Sequence, residues 1–206
     1  MSEPKPVPDI VIGRLPIYLR ALEHLLQEGQ QITASKDLAE WLGISSAQIR
    51  KDLSHFGEFG KQGMGYDIAY LRDQLKRILQ VEQVWGAALV GAGDLGQAIA
   101  NYGGFEGRGF RIVCVFDSDP EKIGHSLGTF EICDISLLSE RLEETEIDIG
   151  IVAVPAGAAQ GVVDALIAGG VRAILNYAPI SVVVPPGVHV QYIDPVTHLQ
   201  RMTYYL

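Results

Sequence analysis

Three glycines at a recognisable spacing are the residues of this chain best suited to bind phosphate. Gly91, Gly93 and Gly96 follow an apolar run at 87–90 and form the pattern G-x-G-x-x-G. In such a turn the first glycine permits a tight bend, the second lets the backbone approach a pyrophosphate, and the third lets a helix pack on the strand. The spacing therefore predicts a dinucleotide-phosphate loop, which comprises Gly91, Ala92, Gly93, Asp94, Leu95 and Gly96.

An acid at the end of the next apolar run supports this prediction. Asp117 follows the run 113–116 and lies 21 residues after Gly96, where a carboxylate hydrogen-bonds the adenine ribose hydroxyls. Asp119 follows it and position 118 holds neither Arg nor Lys, so a 2′-phosphate would meet negative charge. The pattern favours NAD(H) over NADP(H). The alternatives are a glycine-rich turn that binds nothing, or one that binds another adenine-containing ligand.

The nicotinamide end of such a ligand would lie at the carboxyl ends of neighbouring strands. We expect Pro155, Ala178 and Pro179 to line this pocket, because they follow two apolar runs in the second half of the chain. Ordinary strand-to-loop turns are the alternative interpretation of these residues. We expect Asp94 to point to solvent, since an inward carboxylate would oppose the pyrophosphate.

Strand and helix patterns alternate after Trp85 and position this loop. Apolar runs rich in Val and Ile lie at 87–90, 111–116, 147–154, 172–175 and 188–193, with helical stretches at 97–102 and 158–168. Such alternation predicts an α/β fold, a Rossmann-type doubly wound parallel sheet. The segment 195–206 has an apolar helical stripe. This terminal helix either packs on its own domain or docks on a partner subunit.

About eighty residues precede the loop, and their pattern is typical of a DNA-binding module. Helices are predicted over 9–28, from Ser35 to Gly43, and after Ser45, with a fourth from Asp67 to about 84. Four glycines within 57–66 predict a hairpin, which after a third helix is the wing of a winged-helix fold. The helix-turn-helix covers about 17–56.

The third helix presents polar side chains that could contact DNA. Gln can hydrogen-bond adenine and Arg can hydrogen-bond guanine in the major groove, while Lys and Ser hold phosphates. A small helical interaction domain with a solvated basic patch is the alternative. The predicted contacts on the third helix and at the hairpin tip are Ser46, Gln48, Arg50, Lys51, Ser54, Lys61 and Gln62.

Net charge of −9 is unevenly distributed. Residues 1–80 hold ten Lys/Arg and ten Asp/Glu, whereas residues 81–206 hold six and fifteen. Nonspecific DNA binding should therefore be weak, because the second half repels phosphate. We expect no membrane helix, no signal peptide, no metal site, and a cytoplasmic location. Cys114 is expected to act as a small buried apolar side chain.

Both motifs together resemble the Rex family of redox-sensing transcriptional repressors, and the resemblance covers nearly the whole chain. It implies a homodimer with a winged-helix domain at 1–80, a Rossmann domain at 81–194 and a C-terminal dimerisation helix at 195–206, with a swap of this helix between subunits as one alternative. It also implies that double-stranded operator DNA is bound when NAD⁺ prevails and released when NADH binds. The segments that carry the resemblance lie at 14–18, 48–54, 56–63, 65–66, 90–96 and 174–179.

The same resemblance implies roles for further residues. Arg14, in the first of these segments, is expected to contact DNA. The terminal helix of one subunit would bring Asp194 to Arg20 of the other, near Tyr102, to form a switch. Asp94 and Pro195 depart from the family pattern.

An NAD-dependent dehydrogenase with an N-terminal helical extension is the rival interpretation. It requires an acid/base group beside the nicotinamide. The five histidines stand in no motif with a partnering acid or Lys: His24, His55, His125, His189 and His198. We therefore predict a regulator and no catalytic turnover.

Overall fold

Two compact units make up the chain in the computed structural model, which describes residues 7–61 and 64–206. The first unit is Met1–Glu82 and the second is Gln83–Leu206. Each has its own hydrophobic core. No helix among the described residues combines the length and hydropathy that crossing a bilayer requires.

The first unit is a helical domain with a small antiparallel sheet. The sheet has the order β1-β3-β2. Its helices are α1 (Asp9–Ile12), α2 (Leu15–Gln27), α3 (Ser35–Leu42), α4 (Ser46–Ser54) and α5 (Ile68–Ile78), and its strands are β1 (Ile32–Thr33), β2 (Gly60–Lys61) and β3 (Gly65–Asp67).

Two predicted helices of this unit differ in their bounds. The single helix expected over 9–28 is broken at Gly13, and Pro16 lies in the first turn of α2, where a missing N–H leaves no hydrogen bond unmade. The fourth helix ends at Ile78 and not near 84. The helix begins directly after Asp67 as predicted, and Asp67 caps it, because its carboxylate accepts a hydrogen bond from the Tyr70 N–H at 2.8 Å.

The turn between α3 and α4 has helix-turn-helix geometry. Gly43 ends α3 with φ +65°, a left-handed conformation that glycine adopts without strain. Ser45 caps α4, since its hydroxyl accepts a hydrogen bond from the Gln48 N–H at 3.2 Å. Helix α3 begins at Ser35 as predicted; its N-cap is Ala34, whose N–H donates to the Asp37 carboxylate at 3.0 Å.

The second unit is a seven-stranded sheet of order β10-β9-β8-β4-β5-β7-β6, and every neighbouring pair is parallel except β6 with β7. The chain starts in the middle at β4, moves to one edge, and then returns to build the other side. Its strands are β4 (Trp85–Val90), β5 (Phe110–Asp117), β6 (Ser126–Leu127), β7 (Phe130–Asp134), β8 (Ile149–Val152), β9 (Ala173–Asn176) and β10 (His189–Tyr192). Its α-helices are α6 (Asp94–Ala100), α7 (Leu138–Glu144), α8 (Ala156–Ala168) and α9 (Pro195–Thr203), and a 3₁₀ turn spans Ile135–Leu137.

Strand β4 explains why the centre of the sheet is buried on both faces. Ala88 and Val90 belong to the core beneath one face, and Ala87 and Leu89 to the core beneath the other. Side chains alternate along a strand, so a wholly apolar strand fits only between two covered faces. The strand order reverses beside β4, at its junction with β8, and ligands of open α/β sheets bind at such a point. The predicted Rossmann-type fold is confirmed.

Candidate functional site

The glycine-rich loop leaves β4 at this switch point, and two of its glycines are required by packing. Gly91 has φ +104°, and a Cβ there would clash with the Ala153 carbonyl oxygen. A Cβ on Gly96 would clash with the Gly91 carbonyl oxygen, where α6 crosses the loop. The Gly91 N–H donates to the Phe116 carbonyl at 2.7 Å. The loop is therefore held tightly against both neighbouring strands.

Gly93 differs, because the fold does not require a glycine there. Its φ of −77° and ψ of −171° suit any residue, and a Cβ would meet no protein atom within 4 Å. A ligand approaching the backbone would account for this glycine. Asp94 and Leu95 follow in the first turn of α6, and both are exposed. The Asp94 carboxylate lies at the solvent side, as expected from the sequence.

Asp117 holds this loop in place. One carboxylate oxygen, Oδ2, accepts a hydrogen bond from the Ala92 N–H at 2.7 Å, and Oδ1 accepts from the Asp119 N–H at 2.9 Å. Lys122 Nζ lies 3.3 Å from Asp117 Oδ2 and 3.5 Å from Asp119 Oδ2. The glycine loop, Asp117 (predicted to bind the adenine ribose) and Lys122, which was not predicted, thus form one network of hydrogen bonds and ion pairs.

The charges of this network stabilise each other. Burial opposes ionisation of Asp117, but the hydrogen bonds from Ala92, Asp119 and Lys122 outweigh it and lower its pKa. The hydrogen bond to Asp117 raises the pKa of Lys122. Asp117 is therefore a carboxylate and Lys122 an ammonium at neutral pH. Lys122 was missed because it lies four residues beyond position 118, where the sequence pattern places a cation.

The three residues predicted to line the nicotinamide pocket differ in their exposure. Pro155 is an exposed residue directly before α8, Ala178 is buried, and Pro179 is exposed. Asn176, which was not predicted, shapes this edge. Its side chain donates to the Ile180 carbonyl at 2.9 Å and accepts from the Ala178 N–H at 2.9 Å, so it holds the turn that follows β9.

A buried carboxylate joins two helices of the first unit. Asp52 on α4 has no exposed surface and receives hydrogen bonds from Arg14 at 2.5 and 2.8 Å, from the Tyr18 hydroxyl at 2.6 Å, and from the Gln48 amide at 2.7 Å. Burial opposes its charge, but these donors outweigh that cost and lower its pKa. The first two motif segments of the sequence therefore contact each other here.

Most residues predicted to contact DNA lie on α4, and they differ in exposure and in their hydrogen bonds. Arg50, Lys51 and Ser54 are exposed, and Arg50 donates to the Ser35 hydroxyl at 2.8 Å. Arg14 and Gln48 both bind Asp52 and so have a structural role that the sequence did not indicate. Ser46 is half-buried and Lys61 ends β2, whereas Gln62 lies outside the described residues.

The proposed switch residues lie in separate units, with Arg20 in the first and the other two in the second. Arg20 is exposed on α2, and Tyr102 is exposed with its ring edge-on to Phe105. Asp194 caps α9, because its carboxylate accepts from the Val196 N–H at 2.9 Å and from the Thr197 hydroxyl at 3.0 Å.

The terminal helix does not pack on its own domain, so that alternative is wrong. No residue of α9 is buried, and Val196, Leu199 and Met202 are each more than half exposed. Its apolar stripe nevertheless has the helical spacing that the sequence predicts.

A separate cleft of about 270 Å³ contains none of the predicted site residues; Cys114, Cys133 and Arg141 contribute to its lining. Cys114 is half-buried, and burial raises the pKa of its thiol to about 12, so it is a neutral side chain that packs beside the core.

Two family models match the chain, one in each unit. Residues 6–54 match the model described as "Putative DNA-binding protein N-terminus", and residues 82–180 match one described as "CoA binding domain".

Close relatives match over almost the entire length. A redox-sensing transcriptional repressor Rex from Chloroflexus aurantiacus is 53% identical over 97% of this chain and 94% of its own length. The Rex repressor of a Roseiflexus species is 50% identical over 100% and 92%, and that of Carboxydothermus hydrogenoformans is 43% identical over 96% and 95%.

Solved structures match both units together. RSP in complex with β-NAD⁺ and operator DNA superposes with a TM-score of 0.92 at 37% identity, covering 98% of this chain and 93% of that one. RSP in complex with β-NADH gives a TM-score of 0.88 at 36% identity, covering 97% and 93%.

Proposed function

Because this chain belongs to the Rex family of redox-sensing transcriptional repressors, we propose that it binds operator DNA while NADH is scarce and releases the DNA when NADH binds. It is a regulator, and membership of this family decides against the dehydrogenase interpretation. A cytoplasmic location is part of the proposal, because chromosomal DNA and the NAD(H) pool meet there.

The observation that carries the nucleotide half of the proposal is the glycine loop. Packing requires glycine at positions 91 and 96 but not at 93, where only a close-lying ligand would exclude a side chain. Gly91–Gly96 would hold the pyrophosphate, Asp117 the adenine ribose, and Pro155, Ala178 and Pro179 would line the nicotinamide pocket. The same ligand in the RSP structures supports this choice over the ligand that the second family model names.

The DNA half rests on the geometry of α4. Its side chains Arg50, Lys51 and Ser54 are exposed and would approach a major groove, and Ser46 on the same helix and Lys61 at the end of β2 are further proposed contacts. Arg14 and Gln48 would contribute by fixing the position of α4 through Asp52, in addition to any contact with DNA. Gln62 completes the proposed DNA contacts.

Assembly and switching involve the terminal helix. We propose that α9 docks on a second copy of the chain, since its apolar stripe is otherwise solvated. Asp194 would then approach Arg20 of the other subunit near Tyr102. A difference in affinity of NADH for the two dimer conformations is the only means by which the ligand can change DNA binding.

The experiment is a gel shift on sheared genomic DNA of the encoding organism, titrated with NADH and with NAD⁺. The proposal requires that NADH alone releases the bound fragments at low concentration. Equal effects of the two nucleotides, or no bound fragment, would contradict it.

A matched pair of glycine variants makes the test specific. Gly93→Ala should fold normally yet lose most of its NADH response, because its methyl group would point to where the ligand lies. Gly161→Ala adds a methyl group in α8 that also meets no atom within 4 Å, and its NADH response should equal that of the unmodified chain. Thermal melts would verify that both variants are folded.

A further inference from the structure

The ribose edge of the proposed nucleotide site contains a cation that the sequence pattern does not place there. Lys122 is the only Lys or Arg paired with Asp117 or Asp119 in the described part of the chain, and it is paired with both. Its side chain is 37% exposed, so its ammonium group is accessible to solvent. A cation at this edge would favour a 2′-phosphate, in conflict with the acidic character inferred from the sequence.

The carboxylates around Lys122 resolve this conflict. Asp117 and Asp119 together carry two negative charges against one ammonium, so the cluster remains anionic. Asp134 adds to this field, because it is the register partner of Asp117 on the neighbouring strand β7. Lowered pKa values at Asp117 and Asp134 keep both groups charged at neutral pH.

The two carboxylates that hold Lys122 have different structural roles. Asp117 is buried and also accepts a hydrogen bond from the Ala92 N–H of the glycine loop, so a substitution there acts on the loop as well as on Lys122. Asp119 is 40% exposed, and its other oxygen accepts only from the Glu121 N–H at 3.0 Å. An asparagine at 119 could still accept that hydrogen bond but would leave Lys122 less restrained.

We propose that Asp119 determines ligand specificity by pairing with Lys122 and neutralising its charge at the ribose edge, so that this site discriminates NAD(H) from NADP(H) through one exposed ion pair. The proposal rests on the proposed function of the loop as a dinucleotide site and adds its selectivity mechanism. Lys122 would bind a 2′-phosphate if it were unpaired, and the ion pair with Asp119 prevents this.

The test measures NADH and NADPH dissociation constants of the purified full-length protein by isothermal titration calorimetry. Asp119→Asn should tighten NADPH binding about tenfold relative to NADH, because one repulsive charge is removed and the ammonium is freed. In Asp119→Asn/Lys122→Met this gain should disappear, since the cation itself is then absent.

Glu121→Gln is the matched control. It removes one negative charge from the same loop, but Glu121 has no ion pair among the described residues. Its NADPH to NADH ratio should stay within about twofold of the unmodified chain, because exposed charges without close contacts interact weakly.

Three results would overturn the inference while leaving the proposed function intact: no gain in Asp119→Asn, an equal gain in Glu121→Gln, or a gain that survives in the double variant. Failure of the unmodified chain to bind NADH would overturn both. The variants should melt within a few degrees of the unmodified protein, because Asp119 and Lys122 are partly exposed.

Discussion

Asp52 and Asp117 are both buried aspartates with lowered pKa values, but the two units satisfy them with different partners. Asp52 receives its hydrogen bonds from side chains: Tyr18 lies on α2, Arg14 lies directly before α2, and Gln48 lies on α4. Asp117 receives two of its three from backbone N–H groups in adjacent loops. The first carboxylate joins two helices, whereas the second shapes a loop and leaves it open on one side.

Substitutions around the two carboxylates should therefore have different consequences. Side-chain donors around Asp52 can be deleted one by one, and deleting Arg14 removes the cation that pairs with this buried charge. Backbone donors around Asp117 cannot be deleted, so its loop should tolerate changes in side chains and respond instead through ligand affinity.

The largest effect is expected when the partner of Asp52 is removed. Arg14→Met should destabilise the first unit by about 3 kcal/mol, because it leaves an uncompensated carboxylate in the core. Hydrogen-exchange mass spectrometry would measure this, since peptides of α2 and α4 report on one unit and peptides of β4 and β5 on the other. Arg50→Met, at an exposed arginine, is the control and should change little.

Asp117→Asn should have a smaller effect on stability and a clear effect on binding. The amide can still accept the Ala92 N–H but loses the charge that pairs with Lys122, so we expect a loss of about 1 kcal/mol. NADH affinity should fall about tenfold if the carboxylate binds the ribose hydroxyls. Calorimetric titration would measure the affinity, and an unchanged value would remove Asp117 from the proposed site.

Stability at alkaline pH should depend on Tyr18, which donates a hydrogen bond to Asp52. Burial and the hydrogen bond to Asp52 raise the pKa of Tyr18. A raised folded-state pKa means that the stabilisation is complete below the unfolded value near 10 and is lost as pH rises above it. Tyr18→Phe should therefore reduce the decline in stability above pH 10.

Urea unfolding at pH 9 to 11 would measure this decline. Tyr66 and Tyr177 also have raised pKa values, so the decline should become shallower without vanishing. Tyr204→Phe, at a tyrosine that is 86% exposed, should leave it unchanged.

The smallest effect is expected at Asp94. Its carboxylate is exposed in the first turn of α6, so Asp94→Asn should leave NADH affinity equal or improve it about twofold. Competition titration against the unmodified chain would detect this. A large loss of NADH affinity would mean that Asp94 contacts the ligand directly and belongs to the binding site beside Asp117.

Much of the fold followed from local sequence patterns. The apolar run at β4, the glycine spacing and the helix starts after Ser45 and Asp67 are short-range signals, and the structure agrees with them. The strands β6 and β7 and helix α7 were not predicted. Their segments are short and mix polar with apolar residues, so no period stands out over them.

The contacts that were missed are between side chains, one pair far apart in the sequence and the other close together. Asp52 looked like one polar residue on a polar helix face, and only the packing of α2 against α4 brings Arg14 to it over 38 positions. Lys122 is close to Asp117 in sequence, but the chain between them turns back to place its ammonium there. The periodic pattern of apolar residues predicts helices and strands, but it does not show which polar side chains will contact each other.

The crowding at Gly91 and Gly96 has a consequence for how ligand preference can evolve. A side chain at either position would clash with backbone atoms, so these two positions of the loop cannot vary without disturbing the sheet. Asp119 and Lys122 lie outside that constraint and can vary at little cost to the fold. If the ion pair determines selectivity, substitutions at Asp119 and Lys122 alone would let the preference for NAD(H) over NADP(H) evolve without a change in the fold.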